Sequence, residues 1–596
     1  MTDSCAVAEF STSSNPLVLR LHEILKSIEY GDMAQSENSA LELAEFLDSL
    51  SESIINSSVT EDENLCDNAL EMLRHIAEYI GSPSAKEKVI DAVSFVLPKA
   101  VCKISGALQK FSAIADSIIE QLVLICNPRD MLTILCEAID SASEKINITL
   151  YLNPLLVGIS RVFISLKRRQ YKQVKAAVPV VVRALKQACL SLDDEDELLE
   201  DLFNRAIGIA ESIRNIQEKL VEGELSEKLR TLLSLYILQV VTYLSVSLGD
   251  KTPKCLSLVS RLSCFLHYCH LSYVGLLSGS DIVDLSSFLN EEEDGDNTKS
   301  CFLDIECGAA LSVIWGYISN DVVQSAKENL DAVENELKYD QIKRWQVIGM
   351  LKHIFSSANL PWVLKKHAID FVCCITEGNI SGGSDGEHLY ILPYIPSIFA
   401  AMQGIQTVIV YCPDAQLRKM AYNAMKKVLA DIPTPERSDM LKALIIHSNL
   451  PSMKAILLDC VREEIRTEAN QQPRKGPIWT IVLELVELVL RPSKGGPPHI
   501  PEESDAVSSA LNLYRFILMV ESAGNTNYSG VLSETNLRKA STEWLLPLRS
   551  LVTGILAENK NDHNHLTGSM VCALNPVELV LYRCIELVEE KLKDCC

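Results

Sequence analysis

The chain has 596 residues, 47% of them hydrophobic and 22% charged, with 79 acidic side chains against 55 Lys and Arg for a net charge of −24. A single core rarely grows past ~250–300 residues, so the chain must form several domains or an elongated stack. The acidity excludes a general nucleic-acid binder, which needs a basic face for phosphate, and 25 Gly and 22 Pro are too few for many short strands and tight turns.

The first residues (Met-Thr-Asp-Ser-Cys) show neither the basic start nor the apolar run of a secretory signal, so the expected location is nucleus and cytoplasm. The 19 cysteines are then expected to stay reduced. Several fall inside apolar helical patterns, as at Cys126, Cys136, Cys189 and Cys460, where Cys acts as a small hydrophobe. Leu41, Ala44, Leu47 and Leu50, with Phe46 and Ile54 beside them, predict the first amphipathic helix. A loop is expected over Asn56–Glu63. Ile146–Leu166 is apolar but interrupted by Pro154 and Arg161. Lys167-Arg168-Arg169, with Lys172 and Lys175, reads as a solvated helix face before it reads as a nuclear signal. Pro179 predicts a helix start, as do Pro98, Pro128, Pro154, Pro361, Pro413, Pro451 and Pro576. A loop over Asp193–Glu197 leads to Thr231–Leu248, which is uncharged and near the lower length of a membrane span. Its polar positions Thr231, Ser234, Thr242 and Ser245 form one stripe, which predicts a helix buried between neighbours.

Further loops are expected over Asn290–Thr298, Thr376–Glu387, Arg491–Glu503 and Ser522–Gly530. Together with the charge they suggest a partition: an acidic N-terminal helical half (1–290), an acidic linker (291–300), repeats with a basic face (301–490), a Pro/Gly-rich loop (491–503) and a helical cap (504–596). Residues 1–341 carry 29 basic and 52 acidic side chains, residues 342–500 carry 18 and 14, and residues 501–596 carry 8 and 13. That switch suggests halves with different partners.

The period is helical nearly everywhere. Pro361, Pro413 and Pro451 are separated by 52 and 38 residues, a mean in the HEAT and armadillo range. After Pro413, Leu417, Met420, Ala421, Ala424 and Val428 share one face, while Arg418, Lys419, Asn423, Lys426 and Lys427 share the other. Such a helix pair cannot bury its apolar face alone and must stack. The predicted fold is therefore all-α, an irregular HEAT/armadillo-like α-solenoid.

No catalytic constellation stands out. Neither Ser381–Gly386 nor Lys494–Pro498 offers the Gly-Lys-Ser/Thr of a phosphate loop. No Gly-x-Ser-x-Gly elbow or His-Glu-x-x-His helix occurs. Asp294-Gly-Asp296 lacks calcium-loop spacing. Cys264, His267, Cys269 and His270 cannot all converge from one short helix on a tetrahedral metal. The terminal Cys595-Cys596 lacks the usual prenylation box. No catalytic residue, cofactor, metal, nucleic acid or membrane is expected.

The C-terminal third resembles the glomulin family, and its plant branch named for aberrant root formation. The resemblance rests on Ser509–Leu518, Asn536–Ala540, Trp544–Arg549 and Asn575–Glu590, with Leu360–Phe371 in support. It implies an irregular HEAT-like solenoid whose C-terminal half grips the RING-box subunit of cullin–RING (SCF-type) ubiquitin ligases. Grip on the face that recruits the conjugating enzyme would block ubiquitin transfer by occlusion, without catalysis. The plant branch further implies a role in lateral root development and auxin response. Charge and expected exposure nominate Arg418, Lys419, Lys426 and Lys427 on one repeat as partner contacts, with Arg538, Lys539, Trp544 and Arg549 near the cap. The competing expectation is a general helical-solenoid adaptor or nuclear transport factor whose acidic half binds basic protein cargo.

Overall fold

The computed structural model describes residues 15–57, 63–82, 86–142, 146–190, 196–290, 297–377, 391–470, 476–491, 496–561 and 568–594. These residues are helical almost throughout, and no strand occurs among them. Helices joined by short turns lie antiparallel, and successive pairs stack, which makes the chain an all-α, irregular HEAT-like solenoid. It divides into two compact units, Met1–Val333 with Ser357–His367, and Glu334–Ser356 with Ala368–Cys596. Of the expected linker, 291–296 lies outside the described residues, and the helices on either side, Ser280–Asn290 and Asn297–Ile318, both belong to the first unit.

In the first unit, Met33–Ser57 buries Ala40, Leu43, Leu47, Leu50 and Ile54, whereas Leu41 is 60% exposed. The expected stripe was off at its start. Steps of three drift around a helix, and only alternating steps of three and four hold one face. A series of helices then runs parallel from repeat to repeat: Ser112–Ile125, Ile148–Ser165, Asp196–Lys219 and Thr252–Tyr268. Their register is set by polar ties. Arg205 grips Asp116 with two bonds of 2.8 and 2.9 Å, reaches Asp201 at 2.9 Å and takes the Asn153 carbonyl at 3.1 Å. Further along, Glu120 pairs with Arg161 at 2.6 Å, Ser160 bonds Ser212 at 2.7 Å and Arg261 reaches Glu211 at 3.2 Å. Close packing accompanies these ties, since a Cβ on Gly158 would lie 2.7 Å from Ile119.

Three of the expected helix-start prolines are inside helices instead: Pro154 in Ile148–Ser165, Pro179 in Gln170–Ala188 and Pro576 in Gly568–Asp594. At Pro154 the reason is visible. Proline cannot donate to the carbonyl four residues back, and the hydroxyl of buried Ser105 donates to that carbonyl, Leu150 O, at 3.1 Å.

Among the described residues, three helical segments could by length and composition cross a membrane: Ile148–Ser165, Glu224–Leu248 and Cys301–Ile318. The apolar windows of these helices are 67%, 83% and 61% buried inside the protein. The polar stripe of Glu224–Leu248 is satisfied within the fold. Ser234, Thr242 and Ser245 bond carbonyls one turn back, Thr242 also takes Asp304 O at 2.6 Å, and Ser245 accepts the indole N–H of Trp315 at 2.9 Å. Asp304 also accepts from Lys186 at 2.7 Å and Tyr243 at 2.8 Å.

In the second unit, Ile395–Tyr411 packs on Ala415–Asp431, followed by Thr434–His447, Pro451–Asn470, Ile478–Leu490, Ser504–Gly524 and Gly568–Asp594. Pro413 and Pro451 mark helix starts as expected: Asp414 caps Gln416 N at 2.9 Å, and Pro451 opens its helix. Of the loop expected over Thr376–Glu387, 378–387 lies outside the described residues, and of that over Arg491–Glu503, 492–495 does. The loop expected over Ser522–Gly530 begins later, because the helix continues to Gly524 and turns at Asn525, φ 49°. Fully buried Glu521 anchors that turn by accepting from Ser529 N at 2.9 Å and from the Ser529 hydroxyl.

His353 gives this unit an acid sensitivity. Burial, with Lys352 beside it, pushes its imidazole down to about 4. The folded chain therefore holds the ring neutral, whereas the unfolded chain takes up a proton near the ordinary 6.5. Acidification through the window from 6.5 to 4 favours unfolding, by about 3 kcal/mol once the window is crossed. His353→Gln is expected to melt with a smaller loss between pH 7 and pH 4.5 than the parent chain. Equal losses in the two would remove His353 from the account.

Candidate partner-binding surface

The apolar face of Ala415–Asp431 is buried at Leu417, Ala421, Ala424 and Val428 as its period predicts, while Met420 is half-buried and Met425, not among the predicted residues, is buried. Its opposite face carries the predicted cations, and most of them are occupied. Arg418 donates to Cys412 O at 2.7 Å and Pro413 O at 3.1 Å, closing the end of the preceding helix. Lys427 reaches back to Cys373 O at 3.3 Å and Glu377 at 2.8 Å. That bond holds the Glu377 carboxyl below the usual glutamate range. Lys426 reaches forward to Glu463 at 3.3 Å and lies 5.3 Å from the Tyr422 ring centre. Only Lys419 of these four is exposed with no ion pair among the described residues. Three of the four thus lace one helix to its neighbours, and each exposed pair contributes at most about 1 kcal/mol.

The second predicted group is divided between core and surface. Trp544 is 3% exposed and meets Tyr514 edge-on at 5.8 Å, so its ring packs the cap. Lys539 bonds Glu487 at 2.8 Å and sits 5.9 Å from the Trp544 ring, and Arg538 pairs with Glu534 on its own helix at 2.7 Å. Arg549 is exposed on Leu546–Asn561 and has no ion pair among the described residues.

Two exposed side chains were not singled out from the sequence. Gly568–Asp594 buries Leu574, Val577, Leu581, Cys584 and Val588, yet leaves Leu579 75% and Tyr582 41% exposed, one turn apart on its outer face. Arg583, also exposed, pairs among the described residues only with Glu586, at 2.7 Å. The signal was present as an excess of apolar residues over what a three-and-four stripe can bury. An aromatic beside an Arg on an exposed helix face is the composition of an interface anchor.

Reactive chemistry finds little footing among the described residues. Burial pushes the thiols of Cys136 and Cys307 up to about 12, and those of Cys269 and Cys460 to about 11. A thiol so raised is a poor nucleophile at neutral pH. In the Cys/His run, the Cys264 thiol turns to Ser260 O on its own helix at 3.5 Å, while Cys269 is buried toward Arg230 O at 3.9 Å. Cys595 and Cys596 lie outside the described residues.

The chain matches the model of a family described as "Uncharacterised protein family, YAP/Alf4/glomulin" at residues 32–267 and 394–593. It is 44% identical to aberrant root formation protein 4 of Arabidopsis thaliana over 575 residues, 95% of this chain and 91% of that protein. Glomulin of Mus musculus is 24% identical over 154 residues, 26% of this chain and 25% of glomulin. Glomulin of Homo sapiens is likewise 24% identical, over 29% of each chain. Among solved structures, a crystal structure of importin beta aligns with 96% of this chain and 68% of its own length at 12% identity, with a TM-score of 0.24. A score that low carries no argument about this chain.

Proposed function

The chain belongs to the YAP/Alf4/glomulin family, and on that premise we propose that it is a non-enzymatic regulator of cullin–RING ubiquitin ligases. In this reading its second unit binds the RING-box subunit, with the cullin beside it, and covers the face that receives the ubiquitin-conjugating enzyme. Occlusion needs no nucleophile, base, cofactor or metal. It needs only a rigid surface whose affinity for the RING exceeds that of the competing enzyme. The reading places the protein in nucleus and cytoplasm, where such ligases work, and connects it to root development through the plant relative's name.

One observation carries most of the support. The family match reaches 394–593, where Gly568–Asp594 presents Leu579, Tyr582 and Arg583 to solvent with no helix over them among the described residues. A few such anchors usually dominate a protein interface. Lys419 and Arg549, exposed elsewhere on the same unit, would add charge that affects the rate of encounter more than the lifetime of the complex.

The test is co-elution of the full chain with a purified RING-box–cullin core on a sizing column, beside the Leu579→Asp/Tyr582→Asp variant. Both side chains are exposed, so the variant should melt as the parent does. The parent is expected to co-elute one to one, and the variant to bind at least about tenfold more weakly. A parent chain that elutes apart from the core would overturn the reading. A variant that binds like the parent would move the contact off this helix.

A further inference from the structure

The basic run Lys167-Arg168-Arg169 is left unused by the ligase reading. It forms the turn between Ile148–Ser165 and Gln170–Ala188, with all three residues exposed and Arg169 left-handed at φ 53°. Beside it lies a row of exposed apolar side chains. Glu120 and Arg161 pair across two parallel helices at 2.6 Å. One turn further on, Leu124 is 78% exposed and Ile164 is 48% exposed, so the two stand side by side. Ile125 follows at 47%, and Phe95 at 68% joins them, because the neighbouring Ser94 lies against the Cys126 thiol.

The charge beside this row is also concentrated. Pro128–Asp140 and Gln170–Ala188 are each antiparallel to Ile148–Ser165, hence parallel to each other, and Asp140 pairs with Arg183 at 3.0 Å. The same distance back along each helix reaches their first turns, which puts Arg129 level with Lys172. Arg129, Lys167, Arg168, Arg169 and Lys172 have no ion pair among the described residues. Among the described residues the acids at this edge are Asp91 and Asp130, which have no ion pair there, while Glu120 and Asp140 are taken up by Arg161 and Arg183. Among the described residues, five cations without an ion pair thus meet two such carboxylates on a unit that is otherwise strongly acidic.

We propose that this edge docks an acidic segment of a partner protein, one that carries apolar side chains among its carboxylates. Leu124, Ile164, Ile125 and Phe95 take the apolar side chains, and the Lys167–Arg169 turn with Arg129 and Lys172 takes the carboxylates. The favoured alternative on chemistry alone is an anionic membrane, since an apolar row beside cations also suits a lipid surface. The wider charge decides against it. Residues 1–341 carry 52 acidic side chains against 29 basic. A flat anionic bilayer would face that whole excess, whereas a short segment meets only the patch, with the rest screened beyond a Debye length of about 8 Å.

The probe is a labelled peptide of repeated Glu-Glu-Leu-Phe blocks, titrated with the full chain and followed by anisotropy. Binding is expected, weakening as salt rises. Lys167→Glu/Arg168→Glu and, separately, Leu124→Ser/Ile164→Ser are each expected to lower affinity about tenfold or more, with melting unchanged. A control peptide with Ser in place of Leu and Phe is expected to bind more weakly than the probe. Equal affinity in the parent and both variants would overturn the proposal. So would absence of peptide binding together with binding to phosphatidylserine vesicles that the same variants lose, which would assign the edge to a membrane. The readout is independent of any ligase, so either proposal can fail while the other stands.

Discussion

Asp431→Ala is expected to destabilise the second unit by about 3–5 kcal/mol, the range for breaking a buried ion pair from one side. Asp431 and Arg344 are 2% and 4% exposed. The guanidinium meets the carboxylate through Nε at 2.8 Å and Nη2 at 2.6 Å. Its remaining group, Nη1, takes Leu337 O at 2.8 Å and Lys338 O at 3.0 Å, the last carbonyls of Leu330–Tyr339. Gln341 adds a bond to Asp431 O at 2.9 Å. One pair therefore joins the ends of three helices, and alanine leaves a cation in the core with half its partners gone. The paired change Arg344→Met/Asp431→Leu removes both charges and should recover most of the loss. Denaturant unfolding followed by tryptophan emission reads the effect, since Trp345 is 1% exposed beside Arg344. A single variant within 1 kcal/mol of the parent would contradict the burial of this pair.

The second large effect belongs to the first unit. Gly308→Ala is expected to loosen the contact between Glu224–Leu248 and Asn297–Ile318. A Cβ there would lie 1.9 Å from Leu238 O and 2.9 Å from Thr242 Oγ1. The obstacle at Leu238 is backbone, so the helices themselves must part. Overpacking costs typically 1–3 kcal/mol and more where backbone must move, while alanine returns about 1 kcal/mol through helix propensity. The net is a loss of about 2 kcal/mol or more. It should appear as faster amide exchange across 230–248 and 304–318, where Thr242, Ser245, Trp315 and Asp304 interlock. Parent-like protection would mean that the helices do not approach so closely.

Much of the fold was legible because a buried helix writes its period into the sequence. Ala415–Asp431 shows this best: its apolar residues repeat at three and four, Pro413 precedes it and Asp414 caps it. Less was legible where long-range partners decide. Leu41 looks as apolar as Leu43, and only the helix that covers one of them tells the two apart. Pro154 reads as a break until Ser105, far back in the chain, supplies the missing donor. Nothing local in the sequence marks Arg344 as buried, because its partner Asp431 lies 87 residues away.

The candidate surface was less legible still. Arg418, Lys426 and Lys427 carry the right charge on the right face. Their partners, Cys412 O, Glu463 and Glu377, sit on neighbouring elements, so the free basic area is smaller than composition suggests. Trp544 is a partner contact by expected exposure and is used in packing instead. Leu579 and Tyr582 were passed over inside an apolar run, where excess over the buried stripe was the only mark of exposure.

The most direct measurement is the rate of ubiquitin-chain formation by a purified RING-box–cullin core and its conjugating enzyme, as the full chain is added. Occlusion predicts a fall that is complete near one equivalent and is relieved by excess conjugating enzyme, with no new product formed. An unchanged rate at several equivalents, with the core confirmed active, would contradict it.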